Sequence, residues 1–212
     1  MIPLTAGKED LKVLCLGAHC DDIEIGCGGT ILRLIREQKV KELQWFVFTS
    51  NHNRRIEAMT SAEYFTSGLE FKTIGVMDFK DSILPQHTLE VKAYFEKIKA
   101  FNPDVIFTHY RHDLHQDHRI VNELTWNTFR NHLILEYEIQ KYDGDLGRPN
   151  MFVPLAPDIA EMKVNALLDL FPSQATKHWF DEETFYSLMR LRGLESASRY
   201  AEAFYSRKAV LL

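Results

Sequence analysis

Two clusters of ionisable residues, some ninety positions apart, carry the groups that can do chemistry in this sequence. The first follows a short apolar run and contains His19, Asp21, Asp22 and Glu24. Adjacent carboxylates at the end of a buried strand repel each other and lose hydration, so they need a cation nearby. A metal ion is the simplest candidate, because imidazole and carboxylate at positions 19 and 22 are ligand types that it would use.

The second cluster lies at positions 109–118, where four of the nine histidines are found: His109, His112, His115 and His118, together with Asp113 and Asp117. His115 and His118 are three positions apart, so both can face one side at the start of a helix. One of them can complete a metal site with His19 and Asp22 and leave a position open for water. Two imidazoles and one carboxylate are typical of catalytic zinc sites, where zinc lowers the pKa of water to about 7.

Asp21 is adjacent to this ligand set without being needed in it, so we predict that it is the base that accepts a proton. The histidine of the pair that does not bind metal can stabilise an oxyanion or protonate a leaving amine. These parts together favour hydrolysis of an amide or an ester.

The elements that must position these residues are strands alternating with helices of about a dozen residues. This pattern predicts parallel βαβ units, and continuous apolar strands predict a sheet covered on both faces. The expected fold class is α/β, a Rossmann-like doubly wound, mostly parallel sheet in a three-layer α/β/α sandwich. Ligands of such sheets bind beyond the carboxyl ends of the strands, where the strand order reverses. The strands predicted at 13–16 and 104–108 should flank that crevice and bring the two clusters together.

Helix boundaries are predicted from glycines and cap residues. Glycines at 26, 28 and 29 place the start of the first helix at Gly28, and it ends near Glu37. Asn53 is expected to cap a helix from Arg54 to about Ser67. The glycine-rich, charged segment 141–150 is expected to form a loop suited to a lid. The chain is expected to be a single domain, 1–212, with 141–212 as a C-terminal lid and capping segment.

Composition narrows the functional class. The net charge is −5 without a basic block, so nothing indicates nucleic-acid binding. No apolar run approaches the ~20 residues of a membrane span, and the first residues lack an apolar targeting region. Three cysteines without a CxxC pair fit a reducing compartment, so a cytoplasmic location is expected. A homo-oligomer stays an open alternative to a monomer.

The segment AHCDDIEIGCGGT at 18–30 resembles the signature (A/P)HPDDE…G of the PIG-L, or LmbE-like, family of metal-dependent N-acetylglucosamine de-N-acetylases. DVIFTHYRHDLHQDHR at 104–119 resembles the second motif of that family. The likeness continues more weakly through 54–59, 81–84 and 192–204. Cys20 stands where the family usually has proline, and Ile23 where glutamate often follows the aspartates.

The resemblance implies that His19, Asp22 and His118 are zinc ligands and that Asp21 is the general base. It implies that the protein removes an acetyl group from an N-acetylated amino sugar or glycoconjugate. The expected cofactor is one Zn²⁺ per chain, with Fe²⁺ as an alternative metal.

The resemblance also implies that His115 stabilises the oxyanion, with Asp117 supporting it. Neighbours two positions apart do not face each other on a regular helix, so that pairing requires 115–117 to be loop. Arg54 or Arg55, together with Asp81, resemble the sugar-contacting positions of the family.

Two other functional classes stay open. Two histidines and one carboxylate also form the facial triad of non-haem Fe(II) oxygenases, which need oxygen and usually a 2-oxo acid. A non-catalytic α/β module that binds a metal or a nucleotide would bind its ligand without consuming it. In either class Asp21 would have no catalytic role.

Overall fold

The computed structural model describes residues 9–208, which form a seven-stranded sheet covered by helices. The strands are β1 (Leu11–Gly17), β2 (Val40–Thr49), β3 (Phe71–Phe79), β4 (Val105–His109), β5 (Leu133–Tyr137), β6 (Met151–Leu155) and β7 (Tyr200–Tyr205). Their order in the sheet is β3-β2-β1-β4-β5-β7-β6. Strand β7 runs opposite to the other six strands and pairs antiparallel with β5 and β6, while the remaining pairs are parallel, so the sheet is mostly parallel.

Helices cover both faces of the sheet: α1 (Asp22–Arg36), α2 (His52–Phe65), α3 (Thr88–Ile98), α4 (Gln116–Thr128), α5 (Pro157–Leu170) and α6 (Glu182–Glu195). The buried side chains of α1, α2, α5 and α6 belong to one apolar core, and those of α3 and α4 belong to the other. The predicted three-layer, doubly wound α/β sandwich is therefore confirmed. No helix between residues 9 and 208 is long and apolar enough to cross a lipid bilayer.

The strand order reverses at β1. The chain continues from β1 to β2 and β3 on one side, and later adds β4 and β5 on the other side. The carboxyl ends of β1 and β4 are therefore neighbours, and the crevice between such ends is the usual ligand site of doubly wound sheets. The loops that leave Gly17 and His109 both open into it.

Helix α1 begins at Asp22 rather than at the predicted Gly28. A Cβ atom at Gly26 would lie 2.2 Å from Cδ2 of Tyr137, and one at Gly28 would lie 2.7 Å from Cε1 of Phe65. These glycines let the helix pack closely against the sheet and against α2. The tertiary packing outweighs the helix penalty of about 1 kcal/mol for each glycine. As a consequence, Asp22 lies in the first turn of a helix.

Two further elements differ from the sequence prediction. Asn51, not Asn53, caps α2, since its side chain accepts a hydrogen bond from the backbone N–H of Arg54. Strand β6 was not predicted, because Pro154 within it cannot donate to a ladder and argues against a strand. The structure accommodates this proline on the edge strand of the sheet.

A buried ion pair joins the C-terminal elements to α1. The Nζ atom of Lys163 lies 2.6 Å from Oε1 of Glu202 and donates to the carbonyl oxygen of Ile25. The Glu202 carboxylate also accepts the backbone N–H groups of Gly29 and Thr30, at 2.8 and 2.7 Å. Helix α5 and strand β7 are thus fastened to the helix that carries the first cluster.

Candidate metal centre and active-site cleft

The loop between β1 and α1 is held by hydrogen bonds on both sides. The N–H of Ala18 donates to Nε2 of His109 at 2.9 Å, and the carbonyl oxygen of Ala18 accepts from the backbone and side chain of Thr49. The N–H of His19 donates to Oδ2 of Asp22 at 2.6 Å. Strands β2 and β4 therefore fix the backbone that presents His19.

The three predicted metal ligands converge at this point. The Nδ1 atom of His19 lies 3.0 Å from Nε2 of His118 and 3.3 Å from Oδ2 of Asp22, and His118 Nε2 lies 3.5 Å from Oδ1 of Asp22. A tetrahedral zinc site with bonds of roughly 2.0–2.1 Å needs ligand atoms about 3.3 Å apart. The spacing and the donor set of two nitrogens and one oxygen fit a zinc ion.

The second nitrogen of each imidazole faces a carboxylate. The Nδ1 atom of His118 lies 2.8 Å from Oδ2 of Asp113, and Nε2 of His19 lies 3.2 Å from Asp81 and 3.3 Å from Asp117. Carboxylates in this position fix the ring orientation and the tautomer of metal-binding histidines. Asp113 and Asp117 thus support the arrangement from outside the ligand set.

His109 lies beneath the ligands. Its ring stacks on that of His118, with centroids 3.9 Å apart and an interplanar angle of 16°. Its Nε2 atom lies 3.1 Å from Oδ2 of Asp22 and 3.3 Å from the Tyr137 hydroxyl, which donates to the carbonyl oxygen of Leu16. Asp22, His109 and His118 could also hold an ion, so His109 offers a third nitrogen beside the predicted ligands.

The pKa shifts of His118 and Asp22 match metal binding, and the shift of His19 shows that the centre favours a cation. Burial and the nearby His109 lower the pKa of His118 to about 3, so its imidazole is neutral and can bind a metal. Burial opposes ionisation of Asp22, but the imidazoles around it hold its pKa well below the usual range. Burial also disfavours a charged His19, yet Asp22, Asp117 and Asp81 raise its pKa well above the usual value. The site therefore attracts positive charge.

Asp21 and Arg54 form an ion pair on the wall of the cleft. The Nη2 atom of Arg54 lies 2.8 Å from Oδ1 of Asp21, and its Nη1 atom donates to Glu57 and Ser173. Arg54 is thus held on three sides and is directed at Asp21. Arg55, the alternative sugar-contacting position, instead donates to the carbonyl oxygen of Val76 on β3 and does not line the cleft.

His115 and Asp117 differ from the predicted pairing. His115 caps α4, and its Nδ1 atom accepts the backbone N–H of Asp117 at 3.2 Å. The carboxylate of Asp117 accepts the N–H groups of Ser82 and Leu84, at 2.7 and 3.0 Å. The physical reason is that the helix has begun by Gln116, so the two side chains take different directions. The Asp117 carboxylate therefore holds the segment after β3 rather than the His115 ring.

An open cleft of about 420 Å³ extends from this centre. All of the predicted site residues except Arg55 and Asp117 line it. Asp81 has a 68% exposed side chain and stands at its edge. The cleft wall also includes Lys141 and Gln174, which the sequence did not single out, and the aromatic residues Tyr142 and Trp179.

Lys141 connects the segment 141–150 to the centre. Its Nζ atom lies 3.0 Å from Oδ2 of Asp113 and also pairs with Asp145, whose carboxylate accepts the N–H of Leu114. The base of this segment is therefore tied to the loop that carries the second cluster. Its role as a lid stays a prediction. Asp113 belongs to the second cluster of the sequence, whereas nothing in the sequence marks Lys141.

Comparison with known proteins gives one family match and several structural neighbours. The family model for PIG-L, described as GlcNAc-PI de-N-acetylase, matches residues 14–129, a range that contains both clusters. N,N'-diacetylchitobiose deacetylase from Pyrococcus horikoshii is 23% identical, with a TM-score of 0.72 over 97% of this chain and 87% of that one.

Two other solved structures are equally similar in shape. A conserved protein from Thermus thermophilus is 22% identical, with a TM-score of 0.74 over 95% of this chain and 97% of that one. GalB, the 4-carboxy-2-hydroxymuconate hydratase from Pseudomonas putida, is 17% identical, with a TM-score of 0.74 over 95% and 98% of the two chains. These likenesses establish the fold. Since the family model covers more than half of the chain, the protein belongs to the PIG-L family.

Proposed function

We propose that this protein is a zinc-dependent hydrolase that removes the acetyl group from an N-acetylated amino sugar, free or within a glycoconjugate. The observation that carries the proposal is the convergence of His19, Asp22 and His118 at metal-ligand spacing, with Asp21 on the adjacent cleft wall. Membership of the PIG-L family supports the choice of an acetylated sugar, as does the deacetylase named among the structural neighbours.

Zinc held by His19, Asp22 and His118 would supply a Lewis acid for the amide carbonyl and lower the pKa of a water molecule to about 7. Asp21 accepts the proton of the attacking water. Its side chain is 7% exposed and its Oδ1 atom is fixed by Arg54, so Oδ2 is the oxygen left for this proton. A buried, oriented carboxylate next to the ligands suits a general base.

His115 provides the donor for the developing oxyanion. Burial lowers the pKa of His115, so its imidazole is neutral. Because its Nδ1 atom accepts the N–H of Asp117, the hydrogen of this neutral ring lies on Nε2. That N–H can donate a hydrogen bond to the carbonyl oxygen as negative charge forms on it, and the proton that Asp21 took from the water can pass to the departing amine.

Asp81 and Arg54 supply polar groups for the sugar. The Asp81 carboxylate is exposed at the edge of the cleft and can accept hydrogen bonds from sugar hydroxyls. Arg54 lines the same cleft, but its guanidinium is engaged with Asp21, Glu57 and Ser173. We therefore assign substrate contact mainly to Asp81 and positioning of Asp21 mainly to Arg54.

The test is the metal content of the purified protein, measured together with acetate release from a panel of N-acetylated sugars, with and without chelator. We expect about one zinc per chain and acetate release that chelator abolishes and zinc restores. Turnover with Fe²⁺ and oxygen alone would instead indicate an oxygenase. A bound metal without turnover of any acetylated sugar would contradict the deacetylase and favour a binding module.

A further inference from the structure

We propose that Glu57 and Ser173 are positioning residues for Asp21 and that they act through Arg54. They hold the Arg54 guanidinium in the orientation that directs its Nη2 atom at the Asp21 carboxylate. The inference rests on the proposed function, because it takes Asp21 as the general base, and it adds two residues that do not line the cleft themselves.

A chain of hydrogen bonds runs from Glu57 to Asp21. The Glu57 carboxylate accepts the backbone N–H of Ser173 on Oε1, at 2.8 Å, and the Ser173 hydroxyl on Oε2, at 2.6 Å. The Nη1 atom of Arg54 donates to Oγ of Ser173 at 3.2 Å, and its Nη2 atom donates to Oδ1 of Asp21 at 2.8 Å. The proposed base is thus connected to a carboxylate of α2 through one hydroxyl and one guanidinium.

The Glu57 carboxylate decides which way the Ser173 hydroxyl points. A carboxylate only accepts hydrogen bonds, so the hydroxyl hydrogen lies towards Glu57 and the lone pairs of Oγ face away from it. Those lone pairs receive Nη1 of Arg54 and, at 2.9 Å, Nε2 of Gln174. Without Glu57 the hydroxyl is free to turn its hydrogen towards the guanidinium, and the contact that holds Arg54 is then lost.

The shape of the guanidinium carries this constraint to Asp21. A guanidinium is planar and rigid, so fixing Nη1 also fixes the direction of Nη2. Oε2 of Glu57 lies 3.4 Å from Nη1, so Arg54 is shared by two carboxylates. The side chains of Arg54 and Glu57 are only 15% and 10% exposed, which limits competition from water. Release of Nη1 would therefore let Nη2 rotate away from Asp21 and leave the base without a fixed orientation.

The same carboxylate also holds part of the cleft wall. Ser173 lies in the short 3₁₀ turn Pro172–Gln174, which follows α5. Gln174 lines the cleft, and its side chain is tied to Oγ of Ser173. Glu57 thus holds the turn through the backbone N–H of Ser173 and holds Arg54 through the hydroxyl of Ser173. Because these two connections use different atoms, substitutions can separate them.

The first test is steady-state kinetics with the acetylated sugar that wild type turns over fastest. Ser173→Ala removes the hydroxyl but keeps the backbone N–H, so we expect kcat to fall roughly tenfold while KM stays within about twofold. Glu57→Gln should lower kcat similarly, whereas Ser173→Thr keeps a hydroxyl and should retain most of it. Glu63→Gln is the matched control, because Glu63 lies on the same helix and pairs with Lys72 outside the cleft. Wild-type kcat in both Ser173→Ala and Glu57→Gln would overturn the proposal.

The second test asks whether the effect passes through Asp21. In the Asp21→Asn background, Ser173→Ala should change the residual kcat by less than about twofold, because a residue that only orients the base has no effect once the base is gone. An equal fall of kcat in both backgrounds would indicate general structural damage and overturn the proposal.

A crystal structure of Ser173→Ala tests the positioning without turnover. We expect Nη2 of Arg54 to have left Oδ1 of Asp21, and an unchanged distance of 2.8 Å would overturn the proposal. Wild-type protein that releases no acetate from any acetylated sugar would contradict the proposed function, whereas the position of Arg54 in this variant would still decide whether Ser173 holds it.

Discussion

The Nδ1 atom of His118 lies 2.8 Å from Oδ2 of Asp113, and both side chains are buried. Burial opposes ionisation of Asp113, yet the hydrogen bond from His118 and the nearby positive charges hold its pKa well below the usual range. The other oxygen, Oδ1, accepts the backbone N–H of His115. One ionised carboxylate thus orients the imidazole of His118, a proposed metal ligand, and also fixes the cap of α4.

We expect Asp113→Asn to weaken metal binding by roughly 10- to 100-fold, the usual effect of losing the carboxylate behind a histidine ligand. Asparagine keeps the shape and one acceptor oxygen but carries no charge. The affinity can be measured by competition with a chromophoric chelator. Asp143→Asn removes a carboxylate from the same cleft without a contact to His118, so an equal loss there would contradict a specific role of Asp113.

Asp21→Asn tests the assignment of the general base. Asparagine can still accept the hydrogen bond from Arg54 but cannot take a proton, so we expect kcat to fall by roughly 10²- to 10⁴-fold. Metal stoichiometry should stay at the wild-type value, because Asp21 is not among the converging ligands. Retention of full activity would show that another group accepts the proton.

The adjacent arginines of α2 should behave differently. Arg54→Met removes the cation next to Asp21 and leaves a buried carboxylate without its partner, so we expect lower kcat and lower stability. Arg55→Met should leave kcat unchanged, because within residues 9–208 the Arg55 side chain hydrogen-bonds to the backbone of Val76 and lies outside the cleft. Steady-state kinetics of both variants test this difference. Equal losses of kcat would contradict different roles for the two arginines.

Asp117→Ala should destabilise the segment after β3. Its carboxylate accepts the backbone N–H groups of Ser82 and Leu84, and hydrogen bonds to charged groups contribute about 1.5–3 kcal/mol. We expect a loss of this size in the free energy of unfolding of the metal-free protein, measured with urea. Asp81→Asn changes an exposed carboxylate nearby and should shift stability by less than about 0.5 kcal/mol.

Lys163→Met should destabilise the fold more strongly, by about 3–5 kcal/mol, because it leaves the buried Glu202 carboxylate without its cation. The double variant Lys163→Met/Glu202→Gln should recover part of this loss, since the glutamine carries no charge. Chemical denaturation of the single and double variants measures the difference. A double variant less stable than Lys163→Met would mean that the carboxylate contributes more through Gly29 and Thr30 than through Lys163.

Much of the fold followed from local patterns in the sequence. The alternation of apolar strands and amphipathic helices was sufficient to predict the doubly wound sheet, and topology alone placed the loops after β1 and β4 together. The start of α1 was predicted too late because glycine disfavours an isolated helix. Contacts of Gly26 and Gly28 with distant aromatic rings reverse that preference, and such contacts cannot be read from neighbouring residues.

The site followed from sequence only in part. The types and spacing of His19, Asp22 and His118 indicated a metal centre, because few structural roles bring such groups together. The partners of Arg54 and Asp117 could not be predicted, since they depend on where Asp21 and Ser82 lie in three dimensions. Gln174 lines the cleft from a segment without a local signal of chemistry.

Gly26 has no reactive side chain, but its close contact with Tyr137 makes position 26 critical for the geometry of the site. Any side chain at position 26 would displace the Tyr137 ring, whose hydroxyl holds the end of β1 and lies beside His109. In a saturation-mutagenesis screen, position 26 should therefore be as intolerant as the metal ligands. Loss of activity in a variant at position 26 would reflect the displaced Tyr137 ring. It would not be evidence that residue 26 contacts the substrate.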